Sequence, residues 1–169
     1  MKRTWIAEGL ALPACLIASA ALGQGTAAVK TQAPAANVLF VHYGNLEWQK
    51  VVPELGERSP EFAIVHVDPA TKTTQMMIRV PKDSHVPMHW HAANETHTVV
   101  KGTFIIECEG KRDALEQGAF NSMPARMHHE AWTRPDEGAL VFVTYDGPFD
   151  FHWVNGTPKP ADVVGGRWR

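Results

Sequence analysis

The sequence predicts an all-β domain, a sandwich or barrel of the jelly-roll kind, and three observations carry that reading. Short runs rich in Val, Ile, Phe, Thr and Trp recur from Asn37 onward, the composition of half-buried pleated strands. Turn residues break them at Asp68-Pro69, Pro81-Lys82-Asp83, Lys101-Gly102, Glu109-Gly110, Asp136-Glu137-Gly138 and Asp146-Gly147-Pro148, several of hairpin type. Helical periodicity shows only around Leu46 to Leu55. About nine short strands in about 120 residues point to a sandwich or barrel.

From the N-terminus, Lys2 and Arg3 precede an apolar stretch, Leu10 to Leu22, that is too short to span a bilayer and ends in the small residues of Ala21-Leu22-Gly23. Residues 1–23 read as an export signal cleaved after Gly23, or a few residues later near Ala28. The competing readings are a retained membrane anchor and a disordered tail, and Glu8 is an unusual approach to such a run. Export places the mature protein in the periplasm or outside the cell, without stable membrane association. Cleavage removes Cys15 and leaves Cys108 alone, so no intrachain disulfide is expected.

Residues 24–36 are small, polar and aperiodic, the mark of a flexible linker. A single domain is then expected over residues 37–155, with strands in VLFVHY, FAIVHVD, TTQMMIRV, ETHTVV, TFIIECE, GAFNSM, HHEAWT, ALVFVTY and FDFHWV. Residues 156–169, with Pro158, Pro160 and Gly165-Gly166, read as an irregular tail. With 169 residues and 44% hydrophobic content, the chain holds material for one ordinary core. A net charge of -2 with no run of like charge gives no basic field to attract nucleic acid or an anionic membrane.

Chemistry concentrates in His89-Trp90-His91-Ala92-Ala93-Asn94-Glu95-Thr96-His97, which holds three of the nine histidines. On an extended strand His89 and His91 project to one face, roughly 7 Å apart, within reach of one ion. A short loop leads to Glu95, whose carboxylate can fold back towards the pair. Two histidines and a carboxylate with open positions suit a redox-active divalent metal such as Fe(II). His97 follows Glu95 by two residues on the same face, where it can touch a bound substrate, orient Glu95 or move a proton; a hydrogen-bonded pocket wall is the alternative.

Pro87, His89-x-His91, three residues, Glu95, six residues and Gly102 resemble the first motif of the cupin superfamily, with Asp83 where that motif begins on glycine. Gly118, five residues, Pro124 and then His129 resemble the second, with Arg126 in place of a glycine and Thr133 in place of a frequent asparagine. The resemblance is good over Thr73 to Tyr145 and extends over Asn37 to Asn155. It implies a double-stranded β-helix and one divalent metal, Fe(II) or Mn(II) favoured and Zn(II) or Ni(II) also admissible, held by His89, His91, Glu95 and His129. Strand parity agrees, placing His129 with Ala131 and Thr133 and putting His128, Glu130 and Trp132 on the opposite face. The missing glycine leaves a one-residue shift to His128 open.

Four protein ligands on an octahedral ion leave two positions for water, dioxygen or a chelating substrate. Cupins host very different chemistries, so the resemblance implies two kinds of function. One is an enzyme of dioxygenase, isomerase or decarboxylase type acting through His97 on a small oxygenated molecule. The other is a ligand-binding or sensor module with a structural metal. Trp90, Trp132 and Trp153 suit packing or a subunit interface better than a cavity wall, and the expected assembly is a homodimer. Arg79 and Arg126 read as surface residues, the methionines as core filling and Cys108 as a small buried hydrophobe. His42, His66, His85 and His152 read as structural.

Overall fold

Eleven strands organise the described part of the chain, residues 38–166 of this computed structural model. They are β1 (Gln49–Lys50), β2 (Glu61–Val67), β3 (Thr74–Val80), β4 (His85–Trp90), β5 (Glu95–Gly102), β6 (Phe104–Cys108), β7 (Lys111–Leu115), β8 (Phe120–Met123), β9 (His129–Thr133), β10 (Ala139–Tyr145) and β11 (His152–Trp153). Every ladder among them is antiparallel. One sheet runs β1-β2-β3-β10-β5-β8 and the other β11-β4-β9-β6-β7, two layers of a jelly roll. The export signal and the linker expected over residues 1–36 lie outside the described residues.

Side-chain alternation explains how the layers meet. In β10 Ala139, Val141, Val143 and Tyr145 are buried, while Leu140, Phe142 and Thr144 face the other way and are half-buried. β5 repeats the pattern with Glu95, His97 and Val99 inward. These faces join Met76, Val80, Val86, Phe104, Ile106, Leu115, Met123 and Ala131 in one core, where each large side chain removed from water contributes roughly 1.5–3 kcal/mol.

Local chemistry decides where the structure departs from the sequence reading. No strand forms over VLFVHY; Val38 to His42 are unpaired and exposed, Phe40 by 83%, because a strand needs a neighbouring edge and β1 takes the edge beside β2. The helical period around Leu46 to Leu55 yields β1 and then a 3₁₀ turn over Pro53–Arg58, kinked at Gly56. Only Leu55 in that turn is buried, too little apolar surface for an α-helix to cover. β7, with the charged sequence KRDAL, was not among the expected strands; the Glu109-Gly110 turn folds it back onto β6, and Leu115 alone is buried.

The two positions where the cupin pattern has glycine and this chain does not are both left-handed, Asp83 at φ 51 and Arg126 at φ 63. Other contacts hold these turns. The Arg126 amide donates to the His91 carbonyl at 2.8 Å, and the Gly165 amide donates to the Asp83 carbonyl at 3.0 Å. The second bond brings residues beyond Gly156 back across β4, with Ser84 bridging Val164 and Val163 buried against Val52 and Leu55. Gly102 has no such latitude: φ is 77, and a Cβ there would lie 2.0 Å from the Gly138 carbonyl oxygen. Gly102→Ala is therefore expected to cost about 3 kcal/mol from backbone strain and overpacking together, read as a lowered denaturant midpoint.

Candidate metal centre

The buried lining changes character at one end of the core, where His89, His91, Glu95, His97 and His129 meet, each no more than 5% exposed. His89 is near the end of β4 and His91 just beyond it; Glu95 opens β5 and His129 opens β9. The register pairs His89 with His129 directly, and their ring centroids stand 4.2 Å apart. The pairing of β4 with β9 shifts between Val86 and His89, around Pro87, which has no amide to give a ladder.

Each of three imidazoles is held by its Nδ1. That atom lies 2.7 Å from the Pro87 carbonyl in His89, 2.5 Å from the Asp150 carbonyl in His91 and 3.0 Å from the Met127 carbonyl in His129. A carbonyl only accepts, so Nδ1 carries a proton, and in the neutral ring Nε2 keeps its lone pair. One ring nitrogen from each of the three lies within 4.8 Å of the others, a group that could hold a metal ion. Glu95 stands to one side of that triangle, Oε1 3.6 Å from His91 Nε2 and Oε2 3.4 Å from His129 Nε2.

The two oxygens of Glu95 have different surroundings. Oε1 accepts a short hydrogen bond from the Tyr145 hydroxyl and lies 3.2 Å from His97 Nε2. Oε2 is buried and has no hydrogen-bond partner. His97 is engaged at both nitrogens, its Nδ1 being 2.8 Å from Asn121 Oδ1.

Burial drives His89 well below the ordinary histidine range, and the neighbouring His129 and His91 push the same way. Burial also lowers His91, with Glu95 partly opposing. For Glu95 burial works upward, but the His97 charge and its hydrogen bond to the carboxylate, with the imidazoles around it, outweigh burial and hold Glu95 well below the usual carboxylate range. For His97 burial works downward, and the Glu95 carboxylate outweighs it, leaving the ring easier to protonate than a free histidine. Tyr145 is raised well above the ordinary phenol value, first by burial and then by Glu95.

The cavity over this cluster has a volume of about 40 Å³. Its walls are apolar, among them Ile78, Val86, Phe104, Val141, Val143 and Phe151, and Phe151 stacks on His89 at 4.3 Å between centroids. Among the described residues that line it, none is Lys or Arg.

The sequence profile of the ChrR cupin-like domain matches residues 36–149, more than half of the chain. This chain is a cupin. Among solved structures it is similar to KdgF from Halomonas sp., at 20% identity and TM-score 0.54 over 65% of this chain and 94% of that one. It is also similar to the polyketide cyclase RemF from Streptomyces resistomycificus (17%, 0.59, 73% and 90%) and to a predicted oxalate decarboxylase from Thermotoga maritima (15%, 0.56, 63% and 97%). At these identities the likeness shows the fold. No curated protein sequence matches the chain.

The four residues read from the cupin motifs and His97, read from strand parity, meet in one cluster. His128 is exposed while His129 is buried, so the turn at Arg126 keeps the register that parity favoured. Trp132 is buried on the opposite face of β9, stacked on His85 at 4.9 Å and covered by Arg112; Trp90 stacks on His152, and Arg79 pairs with Glu61. Tyr145, Asn121 and the Asp150 carbonyl were not singled out in the sequence. Tyr145 alone left a trace there, as the last inward position of ALVFVTY.

Because His89 and His91 are depressed in the fold, the stability they contribute is present above the unfolded value near 6.5 and is lost as pH falls below it. His97, being raised, contributes stability below that value and loses it as pH rises. Two depressed groups, one of them strongly, outweigh one raised group. The metal-free cupin is expected to be less stable at pH 5 than at pH 7, measured by urea unfolding in a chelator.

Proposed function

We propose that this cupin holds one divalent metal ion through Nε2 of His89, His91 and His129 and Oε2 of Glu95, and binds or transforms a small oxygenated molecule there. The observation that supports it most is that lone pairs face lone pairs. With Nδ1 of each ring donating to a carbonyl, Nε2 of His91 and His129 presents an acceptor to the Glu95 carboxylate at 3.6 and 3.4 Å, and the Tyr145 hydroxyl, 3.5 Å from His91 Nε2, gives its proton to Oε1 instead. Buried acceptors that face one another are costly unless a cation or proton lies between them. A divalent cation among them would meet that need, and the orphaned Oε2 suits the same role. Three nitrogens and a carboxylate oxygen favour Fe(II) or Mn(II), with Zn(II) and Ni(II) also admissible.

A bound divalent ion would supply a Lewis-acidic centre for an oxygen-bearing ligand. The protein's own part is to exclude water with the apolar wall, to orient the imidazoles through their carbonyl partners, and to hold a proton at His97 beside Glu95. His97 has no free nitrogen to give an ion while both are engaged, which supports a proton-holding role beside Glu95 over ligation. A polyketide cyclase and a predicted oxalate decarboxylase are among the solved structures whose fold it shares. The small cavity favours a second reading, a ligand-binding or sensor cupin with a structural ion, since about 40 Å³ holds little more than a few waters.

Elemental analysis of the purified protein should find about one divalent ion per chain at pH 7, with occupancy falling as pH drops below about 6 as the ligands protonate. His89→Ala or Glu95→Ala should lower it, and unchanged occupancy would reject the ligand set. His97→Gln should keep the ion and, against any substrate found in a small-molecule screen, lose roughly a hundredfold in turnover. Loss of the ion would make His97 a ligand, and full turnover would reduce it to a hydrogen-bonded wall of the pocket.

Export is part of the same proposal, on the charged start, short apolar run and small-residue end of residues 1–23. Mass spectrometry of the secreted or periplasmic protein should give an N-terminus at Gln24 or within a few residues of it. An intact Met1 in the cytoplasm would overturn export.

A further inference from the structure

Glu95 is the only member of the cluster with two chemically equivalent donor atoms, and the fold treats them differently. A carboxylate oxygen offers two lone pairs. Those of Oε1 have two donors facing them, the Tyr145 hydroxyl and Nε2 of His97 at 3.2 Å. Those of Oε2 have none. Sheet register builds this asymmetry: β10 places Tyr145 directly opposite Glu95, and β8 places Asn121 directly opposite His97, where directly opposed side chains on one face come within contact.

We infer that Tyr145 is a positioning residue: with His97 it saturates Oε1, so that Oε2, 3.4 Å from His129 Nε2, is left as the free oxygen and Glu95 acts as a one-oxygen donor. The inference rests on the metal-site reading above and adds a role for Tyr145 that reading does not need. Tyr145 is fully buried, and its ring packs against His91 and Phe149 at 5.0 and 5.3 Å. Its hydroxyl is the part left unexplained by packing. Asn121 supports the other arm at one remove, holding His97 Nδ1 at 2.8 Å and thereby aiming Nε2 at Oε1. Without the hydroxyl, Oε1 regains a lone pair, the carboxylate loses one of its two anchors, and both oxygens become available to an ion.

Tyr145→Phe tests this, because it keeps the ring and removes only the hydroxyl. Purified full-length protein is stripped of metal and titrated at pH 7 with zinc(II) by calorimetry and with cobalt(II) by visible absorption. The wild type should bind one ion per chain. Tyr145→Phe should also bind one, some tenfold to a hundredfold more weakly, as when a group that orients a ligand is removed, and its cobalt absorption should change in position or intensity as the coordinating oxygens change. Asn121→Ala should shift both readouts the same way by less; it serves alone if Tyr145→Phe does not fold. Met76→Ala, in the core but not on the cavity wall, should lower stability without altering the cobalt spectrum. Wild-type affinity and spectrum in the folded variants would overturn the clamp alone, whereas no uptake by the wild type would overturn the metal site and the clamp with it.

Discussion

The register of β5 between β10 and β8 is the constraint on which the site depends. It sets Glu95 opposite Tyr145 and Met123, and His97 opposite Val143 and Asn121. A slip of one residue would turn both side chains outward and bring Thr96 and Thr98 in. Hydrophobic burial forbids the slip, because Val99 of β5 is locked into the same inward face as Val141 and Val143 of β10. The polar cluster is thus held in place by the apolar residues that share its strands.

That arrangement carries a cost the core must offset. Six titratable side chains, Tyr145 included, are buried at one end of the barrel, and taking such groups out of water is unfavourable unless each finds partners. Nearly all do: three rings reach carbonyls, His97 spans Asn121 and Glu95, and Tyr145 donates to Oε1. An ion that bound only the folded chain would offset the remainder by mass action, adding stability with the logarithm of its concentration.

Much of this was legible in the sequence, for identifiable reasons. Strand class followed from residue composition and turn chemistry, which are local. The meeting of His89, His91, Glu95 and His129 followed from the cupin spacing together with two-residue alternation, and alternation also told His129 from His128. Illegible features were those that depend on pairing between distant strands. Nothing in ALVFVTY says that its last residue will face Glu95, and nothing near Asn121 names His97. The unpaired VLFVHY shows the converse error: its composition suits a strand, but composition cannot supply a neighbour to pair with.

The carbonyls that orient the three rings differ in how far they lie along the chain. His89 is held by Pro87 and His129 by Met127, each two residues away, whereas His91 is held by Asp150, 59 positions downstream. The first two rings can find their acceptors as soon as their own short segments are extended, before any sheet exists. The third must wait until β10 is paired and the segment carrying Phe149, Asp150 and Phe151 comes down over the cavity. That segment also supplies the stacking face for His89. Closure of the barrel mouth and completion of the ligand triangle are therefore one event in assembly, and a nascent chain holds two prepared imidazoles but no finished site until the segment carrying Asp150 and Phe151 has emerged.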